Sequence, residues 1–457
     1  MTANLRSRTA TALGNPGLRK AIRDATDRFT THREEGLDLA NFEELRRAAR
    51  ATRAAIIADL PRILGTFADA AEGVGAEVHW AGDAAEARAI VTGIATAHGV
   101  ELAVKAKSML TEEIELNEAL ETAGIEVVET DLGEWIIQLA GQKPSHIIGP
   151  SLHLSKEDVA EIFNRRSDRP LPADPEALCA FARASLREKF LAADIGITGC
   201  NFAVAETGTV ILVTNEGNGR MVTSLPPVHV VVMGMERIVE TWDQLDLMMN
   251  LLPRSATGQK LSVYTTQVTG PRRSGETDGP EELHIVIVDN GRSNLLGTEF
   301  QEMLNCIRCG ACLNVCPVYR QIGGHAYESV YSGPMGAVLT PLLAATGTSL
   351  DLAGASTLCG ACYDACPVQI PLQDLLLSLR RINADTGGPA WSERAGWKNW
   401  ARAWSRPGMY RKTVTAARRG SGALPAGLVP KGWRSGRTVP EARGTYDLRK
   451  ALRDGKI

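Results

Sequence analysis

No stretch of this 457-residue chain approaches the ~20 consecutive apolar residues that a membrane-crossing helix needs, so no transmembrane segment is expected. The opening residues Met1 to Arg6 lack the apolar core of a secretory signal, and a cytoplasmic location is the expectation. Several catalytic signatures are missing as well. There is no G-x-x-x-x-G-K-[ST] phosphate loop, no G-x-G-x-x-G dinucleotide fingerprint and no H-E-x-x-H zinc helix. No Ser-His-Asp order stands out, and nothing marks the chain as a stand-alone catalyst. Net charge is only −3 and 44 % of residues are hydrophobic, the balance of an ordinary globular chain long enough for two or three domains.

Cysteine is scarce, with nine residues in all, but seven of the nine fall in two short runs. The first is Cys306-Ile307-Arg308-Cys309-Gly310-Ala311-Cys312-Leu313-Asn314-Val315-Cys316-Pro317. The second is Cys359-Gly360-Ala361-Cys362-Tyr363-Asp364-Ala365-Cys366-Pro367. The first is a complete C-x2-C-x2-C-x3-C-P run, which holds iron–sulfur cubanes and sends its fourth cysteine to the other cluster of a pair. Two intervening residues let the backbone curl round one corner of a cube, so that three thiolates reach three irons. By that rule Cys306, Cys309, Cys312 and Cys366 hold one cluster, while Cys316, Cys359 and Cys362 hold the other. Zinc also takes paired C-x-x-C motifs, but it explains neither the four-cysteine run nor the two Cys-Pro endings.

Where a full second run would carry a fourth cysteine, the chain has Ser356. Two [4Fe-4S] clusters are expected, the second being either a cube with a non-cysteine ligand or a [3Fe-4S] cluster. Thiolates and clusters fit a reducing compartment. Of the two remaining cysteines, Cys179 sits in an apolar helical pattern and is expected in the core, and Cys200 lies far from the runs.

Residues 5–70 read as helical, and the stretch after them alternates helices with β-rich segments. Strands are expected near Val100–Val104, Ile125–Glu129, His146–Ile148, Gly208–Thr214, Val228–Met233, Leu261–Thr266 and His284–Val288, with a helix over Thr111–Thr122. That alternation predicts an α/β fold with a largely parallel sheet. The domain expectation is a helical segment 1–70, an α/β domain 71–297, a ferredoxin-like cluster module 298–390 and a tail 391–457. The tail carries sixteen Lys or Arg against four Asp or Glu and five of the eight tryptophans, which favours docking onto a partner over binding nucleic acid. In the α/β half, Lys107 and the loop containing Asn215, Gly217, Gly219 and Arg220 form a candidate anion site, with Lys105 nearby; a plain turn would look the same. His325, between the runs, reads as a turn histidine or a residue near the second cluster.

The stretch Cys306–Leu343, the CGACYDACPVQIP run from Cys359, the segment Ala205–Arg220 and the Leu186–Phe190 segment together resemble the lactate-utilisation iron–sulfur (LutB) family, over nearly the whole chain. The resemblance implies an iron–sulfur electron-transfer subunit of a complex oxidising L-lactate to pyruvate, working with two other lactate-utilisation subunits and an unknown electron acceptor. It implies a LUD domain similar to the NagB/CoA-transferase-like fold, followed by an α-helical ferredoxin-like two-cluster module. Among CoA-transferase relatives a glutamate can be the nucleophile, and Glu206 is the position that would correspond. Two other readings stay open: a redox enzyme binding a small organic acid in its own LUD domain, and a redox-sensing or scaffold protein.

Overall fold

A computed structural model describes residues 5–39, 41–343, 349–386, 391–420 and 452–455. The chain divides into two compact units, Met1–Ile382 and Asn383–Ile457. Four helices open the first unit: Leu5–Leu13, Pro16–Gly36, Phe42–Ala58 and Leu60–Gly73. The second of them starts where the sequence provides an Asn15 cap, whose side chain accepts the Leu18 N–H, followed by Pro16.

The strands that follow are β1 (Glu77–Ala81), β2 (Leu102–Lys105), β3 (Glu126–Glu129), β4 (Ile195–Thr198), β5 (Phe202–Val204), β6 (Thr209–Thr214), β7 (Val228–Gly234), β8 (Ile238–Val239), β9 (Tyr264–Val268) and β10 (Glu282–Val288). Six of them form one sheet in the order β1-β10-β7-β4-β2-β3, with every pairing parallel. A smaller mixed sheet, β8-β5-β6-β9, stands beside it. Parallel strands need covered faces, and the alternating residues supply two of them. Val230 and Val232 of β7 join Val91 and Leu120 on one face, whereas Val231 and Met233 face the core shared with the N-terminal helices. Trp135, Phe163 and Phe190 cover Leu102 and Val104 at the β2–β3 end.

Beyond β10 the described residues contain only short helices and loops up to helix Leu372–Asp385. Buried side chains of this module, among them Leu313, Tyr319, Met335 and Leu376, merge with those of the N-terminal helices into one core. Arginines stitch the two together. Arg46 donates to the carbonyls of Tyr363 and Cys366, Arg33 to Ala365, Arg50 to Gln369, and the fully buried Arg53 to Ile238, Glu236 and Leu304.

Three local expectations are corrected. His146–Ile148 is a bend and not a strand, because His146 Nδ1 accepts the N–H groups of Ile148 and Gly149 at 3.0 and 3.2 Å. The helix expected over Thr111–Thr122 is broken into Met109–Glu113 and Leu116–Thr122 at Glu115, whose φ is 53°. Cys179 is exposed on helix Pro175–Ala192, whose buried face carries Leu178, Ala182, Leu186 and Phe190.

In the second unit two helices, Trp391–Trp404 and Pro407–Gly420, bring together an aromatic cluster. Trp400 stacks on Trp404 at 4.9 Å, and Tyr410 meets Trp404 edge-on at 5.1 Å. Trp433 and residues 421–451 of the basic tail lie outside the described residues. Among the described residues no helix is long and apolar enough to cross a membrane.

Candidate functional site

The two cysteine runs take the same backbone path. Arg308, just before Cys309, has φ 58°, and Leu358, just before Cys359, has φ 55°. Gly310 and Gly360, just after those cysteines, sit at 76° and 84°. Side-chain-bearing residues avoid this left-handed region, so its repetition at matching positions marks a backbone imposed by the site. Short helices, Ala311–Asn314 and Ala361–Ala365, then carry Cys312 and Cys362.

The runs fold back on each other. Cys306, Cys309, Cys312 and Cys366 line one small apolar cavity closed by Met303, Met335, Val368 and Leu372. Cys316, Cys359 and Cys362 lie close together: burial raises the Cys362 thiol, and the other two sulfurs push it up further. Backbone N–H groups point at sulfur: Arg308 N–H at Cys306 (3.4 Å), Tyr319 N–H at Cys316 (3.5 Å) and Ile370 N–H at Cys366 (3.4 Å). All seven cysteines are free of disulfides.

Iron fits this donor set. Burial, helped by neighbouring sulfurs, raises the Cys309 thiol to about 12 and the Cys366 thiol to about 11. Thiols so shifted stay protonated unless cations replace the protons, and a thiolate-ligated iron cluster supplies those cations. Four guanidiniums surround the loops: Arg33, Arg46, Arg237, which donates to the Cys306 carbonyl at 3.0 Å, and Arg308. Cys359 differs from the rest. It is exposed, and its hydrogen bond from Thr357 lowers its thiol.

A larger cavity of about 450 Å³ opens at the carboxyl ends of β2, β4 and β7. This is where open parallel sheets bind ligands. Of the residues expected to form an anion loop, Lys107, Asn215 and Gly219 line it. Gly217 and Arg220 do not, and Arg220 is exposed. Lys105 is unavailable for a ligand. It is fully buried and held by Glu129 at 2.7 Å, Thr111 at 2.9 Å and Glu112 at 3.2 Å.

Glu206 is exposed outside both cavities, where its carboxylate accepts the Trp242 N–H at 2.8 Å. His325 contacts the Lys143 carbonyl at 2.7 Å, with its ring 4.5 Å from His153.

The wall between the two cavities is one that sequence reasoning did not find. Ile147 and Arg308 line both. Arg308 reaches Glu236 at 3.1 Å, and Glu236 in turn takes Arg292 Nε at 2.9 Å. Arg292 also holds Glu113 at 2.8 Å, and Glu113 accepts the Tyr331 hydroxyl. The pieces of this network come from five separate segments, so no spacing in the sequence announces it. Burial alone would raise Glu236, but Arg292, Arg308 and Arg237 outweigh it and hold its carboxyl down at about 2.

Family models match three consecutive parts of the chain: a LUD domain at residues 64–288, a 4Fe-4S dicluster domain at 302–370 and the C-terminal region of lactate utilisation protein B at 381–454. Lactate utilization protein B of Shouchella clausii is 48 % identical over 432 residues, covering 93 % of this chain and 91 % of its own. The chain belongs to the lactate utilization protein B family. The Bacillus subtilis member is also 48 % identical, over 94 % of this chain and 89 % of its own. An Escherichia coli K12 protein named uncharacterized electron transport protein YkgF is 44 % identical, over 96 % and 94 %. A duf162 family crystal structure from Deinococcus radiodurans covers 50 % of this chain and 98 % of its own at 19 % identity, with a TM-score of 0.29, too low to bear on the fold. As a member of this family, the chain is an iron–sulfur protein, with a 4Fe-4S dicluster region behind a mixed α/β half.

Proposed function

We propose that this chain is the electron-transfer subunit of a cytoplasmic complex that oxidises L-lactate to pyruvate, working with two other lactate-utilisation subunits. The single observation that carries this reading is the folding of two cysteine runs onto one another through the same turn geometry. Cys306, Cys309, Cys312 and Cys366 would hold the first [4Fe-4S] cluster, and Cys316, Cys359 and Cys362 the second. Such clusters, when bound, accept and release single electrons. The chain's own part is to set the conditions for that. Backbone N–H groups aimed at sulfur and guanidiniums behind the loops favour the added negative charge, while the apolar side chains exclude water.

In this reading the chain is arranged as a helical segment to residue 70, a LUD domain to 297, a cluster module to 390 and a docking tail beyond. The parallel sheet with helices on its faces suits the NagB/CoA-transferase-like fold for the LUD half. Glu206 has no part in this reading, since its carboxylate is engaged at the start of helix Trp242–Thr257.

Cys309→Ala tests the reading. Assembled with its partner subunits, the variant is expected to lose lactate-driven reduction of an artificial acceptor along with cluster iron. A variant complex that turned over lactate at the wild-type rate would sink the proposal.

A further inference from the structure

We infer that the 450 Å³ cavity at the ends of β2, β4 and β7 is a binding site for a small organic carboxylate, anchored by Lys107. The volume is that of a small-molecule site. What sets it apart is the state of its charges. Arg292 is committed to Glu113 and Glu236, Arg308 to Glu236, and Arg237 to the carbonyls of Cys200 and Cys306. On the acidic side, Asp131 caps helix Leu132–Ala140 and Glu216 accepts the Leu132 N–H. Lys107 is different: its Nζ is enclosed and has no hydrogen-bond partner. Glu134 and Glu216 lie in its field but neither hydrogen-bonds it; an enclosed ammonium with no hydrogen bond is costly, and an anion entering the cavity supplies one.

Asn201, Asn215 and Asn218 also line the cavity; Asn201 Oδ1 accepts the Val213 N–H and Asn215 donates to Gln259, which leaves amide N–H groups that suit a hydroxyl or carbonyl next to the carboxylate. The far wall is Arg308, one residue from Cys309, so a bound acid sits against the loop of the first cysteine set. The anion site stands without the electron-transfer reading. Only the choice of 2-hydroxy and 2-oxo acids as probes rests on it.

The experiment is anaerobic calorimetric titration of the full, cluster-loaded chain with L-lactate, pyruvate and inorganic phosphate. Wild type, Lys107→Met and, as a control on an exposed lysine, Lys156→Met are compared. The expected result is binding of the carboxylates to wild type and to K156M, weakened at least about tenfold in K107M. K107M should keep the wild-type iron content and a cooperative thermal transition, which separates lost binding from lost folding, although Glu134 and Glu216 lose a favourable charge. No binding to wild type, equal binding to K107M, or binding of phosphate alone would each overturn the inference. None of these outcomes touches the cluster cysteines, so the electron-transfer proposal would stand or fall separately.

A second observation concerns Ser356. It lies three residues before Cys359, as Cys306 lies before Cys309. The Leu358 N–H donates to Ser356 Oγ at 3.1 Å, just as the Arg308 N–H donates to Cys306 Sγ at 3.4 Å. Arg380 fixes this loop by donating to the carbonyls of Ala353 and Ser356 at 2.8 and 2.6 Å. The geometry assigns Ser356 Oγ as the fourth protein ligand of the second cluster, its O–H proton leaving to solvent as the Fe–O bond forms.

Iron analysis and Mössbauer spectroscopy of anaerobically purified wild type, Ser356→Ala and Ser356→Cys test the assignment. Wild type and S356C should hold two four-iron clusters, and S356A should hold one four-iron and one three-iron cluster. A three-iron second cluster in wild type, or identical iron and spectra in wild type and S356A, would overturn it.

Discussion

Replacing Glu236 by glutamine keeps the shape of a fully buried side chain and removes its charge. In the folded chain that charge faces Arg292 at 2.9 Å and Arg308 at 3.1 Å, with Arg237 adding to the field. The cost follows from that electrostatic burial. The carboxyl is held at about 2 against an ordinary 4.5, which corresponds to about 3 kcal/mol of stability. Removing one partner from a buried ion pair costs about 3–5 kcal/mol. The sign follows from the depressed value: the contribution is full above pH ~4.5 and is lost as pH falls toward ~2. E236Q should therefore be less stable by about 3 kcal/mol across the range pH 8 to 5. Guanidinium chloride unfolding of the anaerobic, cluster-loaded chain, followed by tryptophan fluorescence and by visible cluster absorbance, measures it. A deficit below about 1 kcal/mol would refute the network's importance. A gap that already closed between pH 8 and 6 would show that Glu236 titrates near neutrality and is not held down by its arginines.

Arg46→Met removes a buried cation that donates to the Cys366 carbonyl at 2.9 and 3.1 Å, and redox titration should find a lower potential for one cluster and an unchanged potential for the other. Equal shifts in both would show that Arg46 acts only through folding. Gly258→Ala should be among the more damaging single changes. Its φ is +79° and a Cβ would meet the His32 carbonyl oxygen at 2.1 Å, so a loss above about 2 kcal/mol is expected on thermal unfolding. Gly65→Ala, inside a helix and with nothing within 4 Å of the added methyl, should instead gain about 0.5–1 kcal/mol. A reversal of that order would contradict the packing of helix Pro16–Gly36 against helix Trp242–Thr257.

The sequence made the cysteine chemistry legible because cluster ligation depends on local spacing, and both runs are continuous. It also made the central strands legible. β7 is buried along its whole length, and its unbroken Val-His-Val-Val-Val-Met run reads as strand from any direction. β1 was not visible, since it pairs only with β10 at the sheet's edge and carries Glu77, His79 and Trp80 on partly exposed positions. His146–Ile148 misled for the opposite reason: its apolar residues look like a strand, but a side-chain acceptor two residues back captured the backbone.

The role of the arginines in the first helices was hidden. Arg33, Arg46, Arg50 and Arg53 read as an ordinary charged helix surface, and only the fold shows that the backbone carbonyls they hold lie at least 183 residues away. The 450 Å³ cavity was half legible. Lys107 and the Asn215–Gly219 loop stood out by composition, whereas Arg308 and Tyr331 join them only because the cluster module folds back onto the sheet.

The most direct test of the central claim is electron paramagnetic resonance of the anaerobically purified chain, before and after L-lactate, alone and then with the partner subunits. An electron-transfer subunit predicts clusters that stay oxidised with lactate alone and become reduced once the partners are present. Clusters that remained oxidised in the complete, lactate-consuming complex would contradict it.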